Sequence, residues 1–259
     1  KMAHYTPPLK DIDFALHHLI RAGERDIPGY DMLDAETTGA VLEEAGRLSA
    51  ELLAPLNEAG DRQGCTLDNG VVRTPEGFKR AYDMLREGGW MGLDLDPEHG
   101  GQGMPYLLNT AVAEMFVSAN MALNMYQGLT HGAYSAIHAH GGEDQKRIYL
   151  PPLASGEWSG TMNLTEPQCG TDLGLIRTRA EPAGDGSYHV TGEKIFISSG
   201  EHDLAGNIIH LVLARAPGGG EGTKGISMFV VPKFLPDEAG NPGARNALSC
   251  GKLERKMGI

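Results

Sequence analysis

Cysteine is scarce in this 259-residue chain: Cys65, Cys169 and Cys250 are odd in number and widely separated. A disulfide framework draws on a denser, even set, and a cysteine zinc site on close pairs, so the thiols read as reduced. Positive charge is in deficit too, 22 Lys and Arg against 34 Asp and Glu, for a net charge of −12. A field of that sign repels a phosphate backbone, and no basic stripe with interleaved aromatics offsets it, so nucleic-acid binding is not expected. An anionic ligand would have to rely on local donors. Long apolar runs are also missing. No stretch approaches the roughly 18 residues of a membrane span, and residues 1–8 hold no apolar run of the signal-peptide kind. The expectation is a soluble, cytoplasmic protein without membrane contact.

What remains is ordinary globular composition, with enough apolar side chains for one or two cores. The first 150 or so residues read as helical. Ile12, Leu16, Leu19 and Ile20 recur at helical spacing. Asp34 is placed to cap a longer helix whose inner face carries Val41, Leu42, Ala45, Leu48, Leu52 and Leu53. Thr74-Pro75-Glu76 reads as another helix start, with Phe78, Tyr82 and Leu85 on one face. Pro97-Glu98-His99-Gly100-Gly101-Gln102-Gly103 must be a loop, and helix resumes from Pro105 and runs, with breaks, to about Leu150. After Pro151-Pro152 the pattern changes to strands at residues 178–181, 188–197, 207–215 and 225–232, the first two joined by the turn Ala183-Gly184-Asp185-Gly186-Ser187. The predicted class is α+β: an N-terminal extension (residues 1–34), an all-α domain (35–152) and an antiparallel β-barrel or sandwich-like domain (153–259).

Chemistry concentrates in Met162-Asn163-Leu164-Thr165-Glu166-Pro167-Gln168-Cys169-Gly170-Thr171-Asp172. A strand exit followed by a rigid proline turn offers a hydroxyl and exposed N–H groups, and Gly170 permits close backbone approach. Such a surface suits a flavin, whose reduction leaves negative charge on its pyrimidine edge and calls for preorganised donors there.

This segment resembles the flavin-binding signature of the acyl-CoA dehydrogenase family, a short strand ending in Thr-Glu-Pro, then a small-residue turn, Gly and Ser/Thr-Asp. Two further elements match in order. Gly192-Glu193-Lys194-Ile195-Phe196-Ile197-Ser198-Ser199-Gly200 is similar to the family's Gly-x-Lys stretch. Residues 97–103 are similar to its Pro-Glu-x-x-Gly-Gly-x-Gly loop, with one variable position fewer. The residues from Lys252 onward resemble the end of the family's β domain, and the long preface before Asp34 resembles the subgroup of 3-methylmercaptopropionyl-CoA and related long-form dehydrogenases.

The resemblance implies FAD as cofactor and α,β-dehydrogenation of an acyl-CoA thioester, with electrons passed to an electron-transferring flavoprotein. Met162, Leu164 and Thr165 would line the flavin ring, and Thr171 would sit near the pyrophosphate or the CoA arm as a substrate contact. Phe196 would flank the ring where relatives carry Trp, and Ser198 would replace a Thr near N5. It also implies a homodimer or homotetramer. The family's catalytic base is a glutamate on a C-terminal helical bundle, which would begin beyond Ile259. No residue here inherits that role, so this portion alone is expected to be inactive. An acyl-CoA oxidase, a flavin monooxygenase on the same scaffold and a flavin-free interaction protein stay open as alternatives.

Among the remaining candidates, Glu166 and Asp172 are expected to fix the turn rather than to move protons. His138 and His140 would point some 200° apart on a helix, and His17 and His18 are adjacent, so no metal site is expected. Trp158 is expected to pack in the core from the first strand, with a flavin-adjacent place as the alternative, and Met121 and Met125 are expected to serve helix packing rather than to line an acyl pocket.

Overall fold

The computed structural model describes residues 5–237 and 239–256. Residues 1–4 and 257–259, which the sequence reading of both ends touched, lie outside the described residues.

The helical part begins with α1 (Leu9–Asp13), α2 (Ala35–Leu48) and α3 (Ala54–Gln63). Asp34 caps α2 as expected, accepting from the Thr37 N–H at 2.8 Å. Leu42, Ala45, Leu48 and Leu53 are buried. A wider turn of π type, Phe14–Leu19, follows α1 and shifts the phase of the apolar stripe: Ile12 and Leu16 are buried, while Leu19 is 69% exposed. A second such turn, Ser49–Leu53, joins α2 to α3.

A hairpin of β1 (Thr66–Asp68) and β2 (Val71–Arg73) precedes α4 (Phe78–Glu87), whose buried face is the expected Phe78, Tyr82 and Leu85. The cap of this helix is Gly77 and not the expected Thr74, because Thr74 is engaged elsewhere. Its N–H and hydroxyl both donate to Asp203 Oδ1, at 3.2 and 2.7 Å. That contact fastens the helical part to the sheet part.

α5 (Tyr106–His140) is one helix only in outline. Asn120 is non-helical (φ −159°, ψ 87°) and 1% exposed. Its Oδ1 accepts from the Leu123 N–H, capping the second half, and its Nδ2 donates to Leu53 O at 3.2 Å. Met125 is half-buried, whereas Met121 is 49% exposed and does not pack as expected. α6 (Glu143–Ser155) runs through Pro151 and Pro152 before the chain turns into strands.

The sheet comprises β3 (Trp158–Asn163), β4 (Arg179–Pro182), β5 (Tyr188–Thr191), β6 (Asn207–Arg215) and β7 (Ile226–Pro232), followed by a separate hairpin of β8 (Phe234–Pro236) and β9 (Pro242–Arg245). It is mixed rather than purely antiparallel. β6 is central, parallel to β3 along Trp158↔Asn207 through Asn163↔Val212 and antiparallel to β7. β4 joins β6 only at Arg179↔Arg215, and β4 and β5 form the expected antiparallel hairpin. Burial on both sides explains the near-continuous apolar run at residues 208–213 of β6.

Helices and sheet share one interface. Leu95, Ala133, Tyr134, Ile137, Leu150 and Leu153 pack against Trp158, Ile209 and Leu211, which places Trp158 in the core as expected. The two come close at Gly160, whose N–H donates to Thr130 Oγ1 at 3.1 Å. A Cβ there would lie 2.3 Å from the Ala133 Cβ, so strand and helix could not meet at this distance with any larger residue. Gly160→Val is expected to lower stability by about 1–3 kcal/mol or more through overpacking, read as a lower urea midpoint.

Candidate functional site

β3 carries the chain out of the core, and one side chain then fixes its path. Glu166 and Cys169 exchange backbone hydrogen bonds of 2.8 and 3.0 Å, closing a four-residue turn with Pro167 at its second position. The Glu166 carboxylate is 3% exposed. It accepts from the Thr178 N–H and hydroxyl (3.0 and 2.5 Å), the Arg177 N–H (2.7 Å), Gln168 Nε2 (2.6 Å) and Lys194 Nζ (2.9 Å). Burial pushes this carboxyl up, but the Thr178 hydroxyl, the Arg177 N–H, the Lys194 ammonium and the Thr178 N–H outweigh it and hold Glu166 at about 2. A carboxylate so acidic and so fully engaged is a poor general base. Its role is the turn, as expected. Asp172 acts similarly, accepting from the Gly174 N–H at 3.0 Å.

Lys194 brings the second motif alongside the first. Its ammonium also donates to Leu164 O (3.1 Å), the Ile195 N–H donates to Thr165 O (3.0 Å), and the Thr161 hydroxyl donates to Ser198 O (2.6 Å). Gly192 is required where it stands, since a Cβ would come within 2.2 Å of Thr178 Oγ1. The strand expected over residues 188–197 therefore ends at Thr191. Beyond it the chain exchanges ladder bonds for this side-chain latch, and both Phe196 (φ +58°) and Ser199 (φ +57°) take left-handed backbone conformations unusual for side-chain-bearing residues.

The structure brings five of the six candidate cofactor residues to one region through these bonds: Met162, Leu164 and Thr165 on the exit of β3, Phe196 and Ser198 on the latched segment. Met162, Leu164 and Thr165 are half-buried, Ser198 is exposed, and the Phe196 ring is 40% exposed with Lys256 Nζ 4.7 Å above its centroid. Thr171 is exposed one residue past Gly170. Gly170 lies close under Thr165, a Cβ there meeting Thr165 Cγ2 at 3.3 Å.

Sequence reasoning did not single out several residues that support this wall. Arg215 gathers the following loop, donating to Ile176 O (2.8 Å), Gly222 O (3.0 Å) and Gly174 O. His202, 1% exposed, accepts at Nδ1 from the Leu204 N–H (3.1 Å), which leaves Nε2–H to donate to Ser159 Oγ (2.8 Å) on β3. Burial and the nearby Lys233 push His202 down to about 3 and His210 down to about 4. No local pattern marks these positions, because their partners lie on distant elements. A third group, Asp96, His99 and His138, converges at the edge of α5, with ligand atoms all within 4.8 Å of one another.

Two outcomes test the site. Lys194→Met leaves Glu166 ionised and unpaired in the interior and is expected to cost about 3–5 kcal/mol in urea denaturation; Glu166→Met/Lys194→Met should cost less than the two single changes summed. The unfolded chain takes up protons on His202 and His210 from near pH 6.5, whereas the folded state resists to about 3 and 4. The folded state is therefore favoured in full above pH 6.5 and loses ground as pH falls toward 3. The urea midpoint should decline between pH 6.5 and 4, with a shallower slope in His202→Asn.

Comparison with known proteins bears on the same residues. Residues 35–157 match the acyl-CoA dehydrogenase N-terminal domain and residues 161–259 the acyl-CoA dehydrogenase middle domain. The chain is 46% identical over 256 residues to 3-methylmercaptopropionyl-CoA dehydrogenase of Ruegeria pomeroyi, an alignment covering 98% of this chain and 44% of that protein. Among solved structures, it superposes with a TM-score of 0.63 and 27% identity on a chain from the electron transferring flavoprotein of Acidaminococcus fermentans, covering 79% of this chain and 49% of that one. An acyl-CoA dehydrogenase of Bacillus anthracis complexed with FAD superposes with a TM-score of 0.61 and 25% identity, covering 80% of this chain and 34% of that one. The chain spans 43–44% of the length of three curated relatives it matches. Two domain matches in the order helical then sheet, the second spanning the latched pair of motifs, make this chain a member of the acyl-CoA dehydrogenase family.

Proposed function

We propose that the whole protein dehydrogenates an acyl-CoA thioester between its α and β carbons, with FAD bound against the exit of β3 and electrons passed on to an electron-transferring flavoprotein. The observation that carries this reading is the latch. Glu166 and Lys194 hold Thr165 beside residues 196–198, so a hydroxyl and an aromatic face are presented together.

The residues fit a flavin ring. Among the described residues the Thr165 hydroxyl makes no hydrogen bond, which leaves it able to donate to the pyrimidine edge. Met162 and Leu164 supply an apolar wall, and Phe196 offers an open aromatic face. Ser198, its carbonyl held by Thr161, brings a hydroxyl to the same region in the place assigned to N5. Thr171, exposed beyond the Gly170 turn, would meet the pyrophosphate or the CoA arm. FAD, when bound, supplies the acceptor for the hydride that leaves the β carbon.

Proton abstraction at the α carbon needs a carboxylate with free lone pairs near neutral pH. Glu166 is locked in its turn, so the base is assigned to the length of the relatives that this chain does not span. The same reading places oligomer contacts there. The relative 46% identical makes 3-methylmercaptopropionyl-CoA the first substrate to assay.

The test is the full-length protein, isolated and scanned for flavin absorbance, then mixed with acyl-CoA thioesters. Flavin bleaching with formation of the 2-enoyl-CoA is expected. A colourless preparation that takes up no FAD would refute the reading, and rapid reoxidation by air would favour an oxidase over transfer to a flavoprotein. Thr165→Val should weaken FAD or shift its potential through loss of one donor, by about 1–3 kcal/mol. Unchanged affinity and potential would remove Thr165 from the site.

A further inference from the structure

We propose that Asp96, His99 and His138 form a binding site for a divalent transition metal of the zinc class, pinning the loop of residues 97–103 to the second half of α5. Asp96 caps the short turn Pro97–His99, and His99 ends it. Asp96 and His99 thus bracket the turn and bring their ligand atoms within 4.8 Å of each other. His138 approaches from α5, and Tyr134, one helical turn earlier, lies on the same face.

The ligand atoms converge without bonding one another. Asp96 Oδ2 faces His138 Nε2 at 3.8 Å, too far for a hydrogen bond. The His99 and His138 rings meet edge to face with centroids 5.6 Å apart. All three ligand atoms fall within 4.8 Å. In a tetrahedral site with bonds of about 2.0–2.2 Å, neighbouring ligand atoms stand roughly 3.3–3.5 Å apart, so side-chain rotation closing the set by about an ångström suffices.

The groups around the three are also placed as outer partners. The other carboxylate oxygen, Asp96 Oδ1, accepts from the Glu98 N–H at 2.8 Å, which leaves Oδ2 to point at His138. His99 Nδ1 is 2.9 Å from the Tyr134 hydroxyl, which fixes the ring and frees Nε2. Tyr134 in turn stacks parallel to His138, with 10° between the planes. Two imidazoles and one carboxylate select a borderline ion such as Zn²⁺, Co²⁺ or Ni²⁺ over the oxygen-seeking Mg²⁺ and Ca²⁺. Three protein ligands leave a position for water. The spacing that argued against a His138–His140 pair stands; His138 finds its partners across the loop instead.

The experiment titrates zinc chloride into the full-length protein, free of affinity tag and stripped with chelator, by calorimetry and by thermal melting. One equivalent is expected to bind in the micromolar range or tighter and to raise the melting temperature. His138→Gln and Asp96→Asn, both at half-exposed positions, should weaken binding at least tenfold and abolish the thermal shift, Tyr134→Phe should weaken it less, and His140→Gln should leave it unchanged. Absence of binding would overturn the site. Binding that survives His138→Gln and Asp96→Asn, or that falls equally in His140→Gln, would mean an adventitious ion only.

Discussion

The buried pair of Glu166 and Lys194 is the constraint on which the rest of this wall depends. Neither charge is tolerable alone in the interior, where the loss of water's solvation costs several kcal/mol per ion. The geometry meets that cost with a full set of partners, since Glu166 takes hydrogen bonds from two backbone N–H groups, a hydroxyl, an amide and the ammonium. Satisfying one carboxylate in this way fixes three chain segments at once: the Pro167 turn, the approach to β4 and the stretch after β5. Gly192 and the end of β5 follow from it, because the chain must pass over Thr178 to deliver Lys194.

So fully engaged, Glu166 acts as a fastener of the chain around it. The packing behind the wall has the same character. β3 is held from the rear by Gly160 against Ala133, and along its length by His202 on Ser159 and Ser198 on Thr161. A strand so fixed presents Met162 to Thr165 with little freedom, which is what preorganised donors require.

Much of this was legible in the sequence, and the reasons differ by element. Periodicity found α2, α4 and α5 and the run of β6, because those elements bury one face or a continuous stretch and the pattern records it; β7 was found from its apolar run, although only Pro232 of it is buried. The motif residues were found through resemblance, and the structure adds the bonds that bring them together. What failed were places where a side chain reached across the fold. Thr74 looked like a helix cap until Asp203, far along the chain, claimed it. Residues 192–197 read as the continuation of a strand, but their bonds run to Leu164, Thr165 and Glu166 rather than to a ladder. The antiparallel expectation missed the parallel pairing of β3 with β6, since direction between strands is set by a long crossover and leaves no local trace. The Asp96, His99 and His138 group was invisible for the same reason: its members share a site only after the loop folds back on α5.

Asn120 and the turn Ser49–Leu53 have a mechanical consequence. Each interrupts a long helix, and the Asn120 amide bonds the carbonyl at the end of the other interruption, so the two defects lie at one level. Helices are stiff where their ladder is continuous and yield where it is broken. The helical layer thus carries a seam, with α1, α2 and the first half of α5 on one side. The second half of α5, seated on β3, lies on the other. Any bending of the helical layer is directed to that seam rather than into the second half of α5, on which β3 packs.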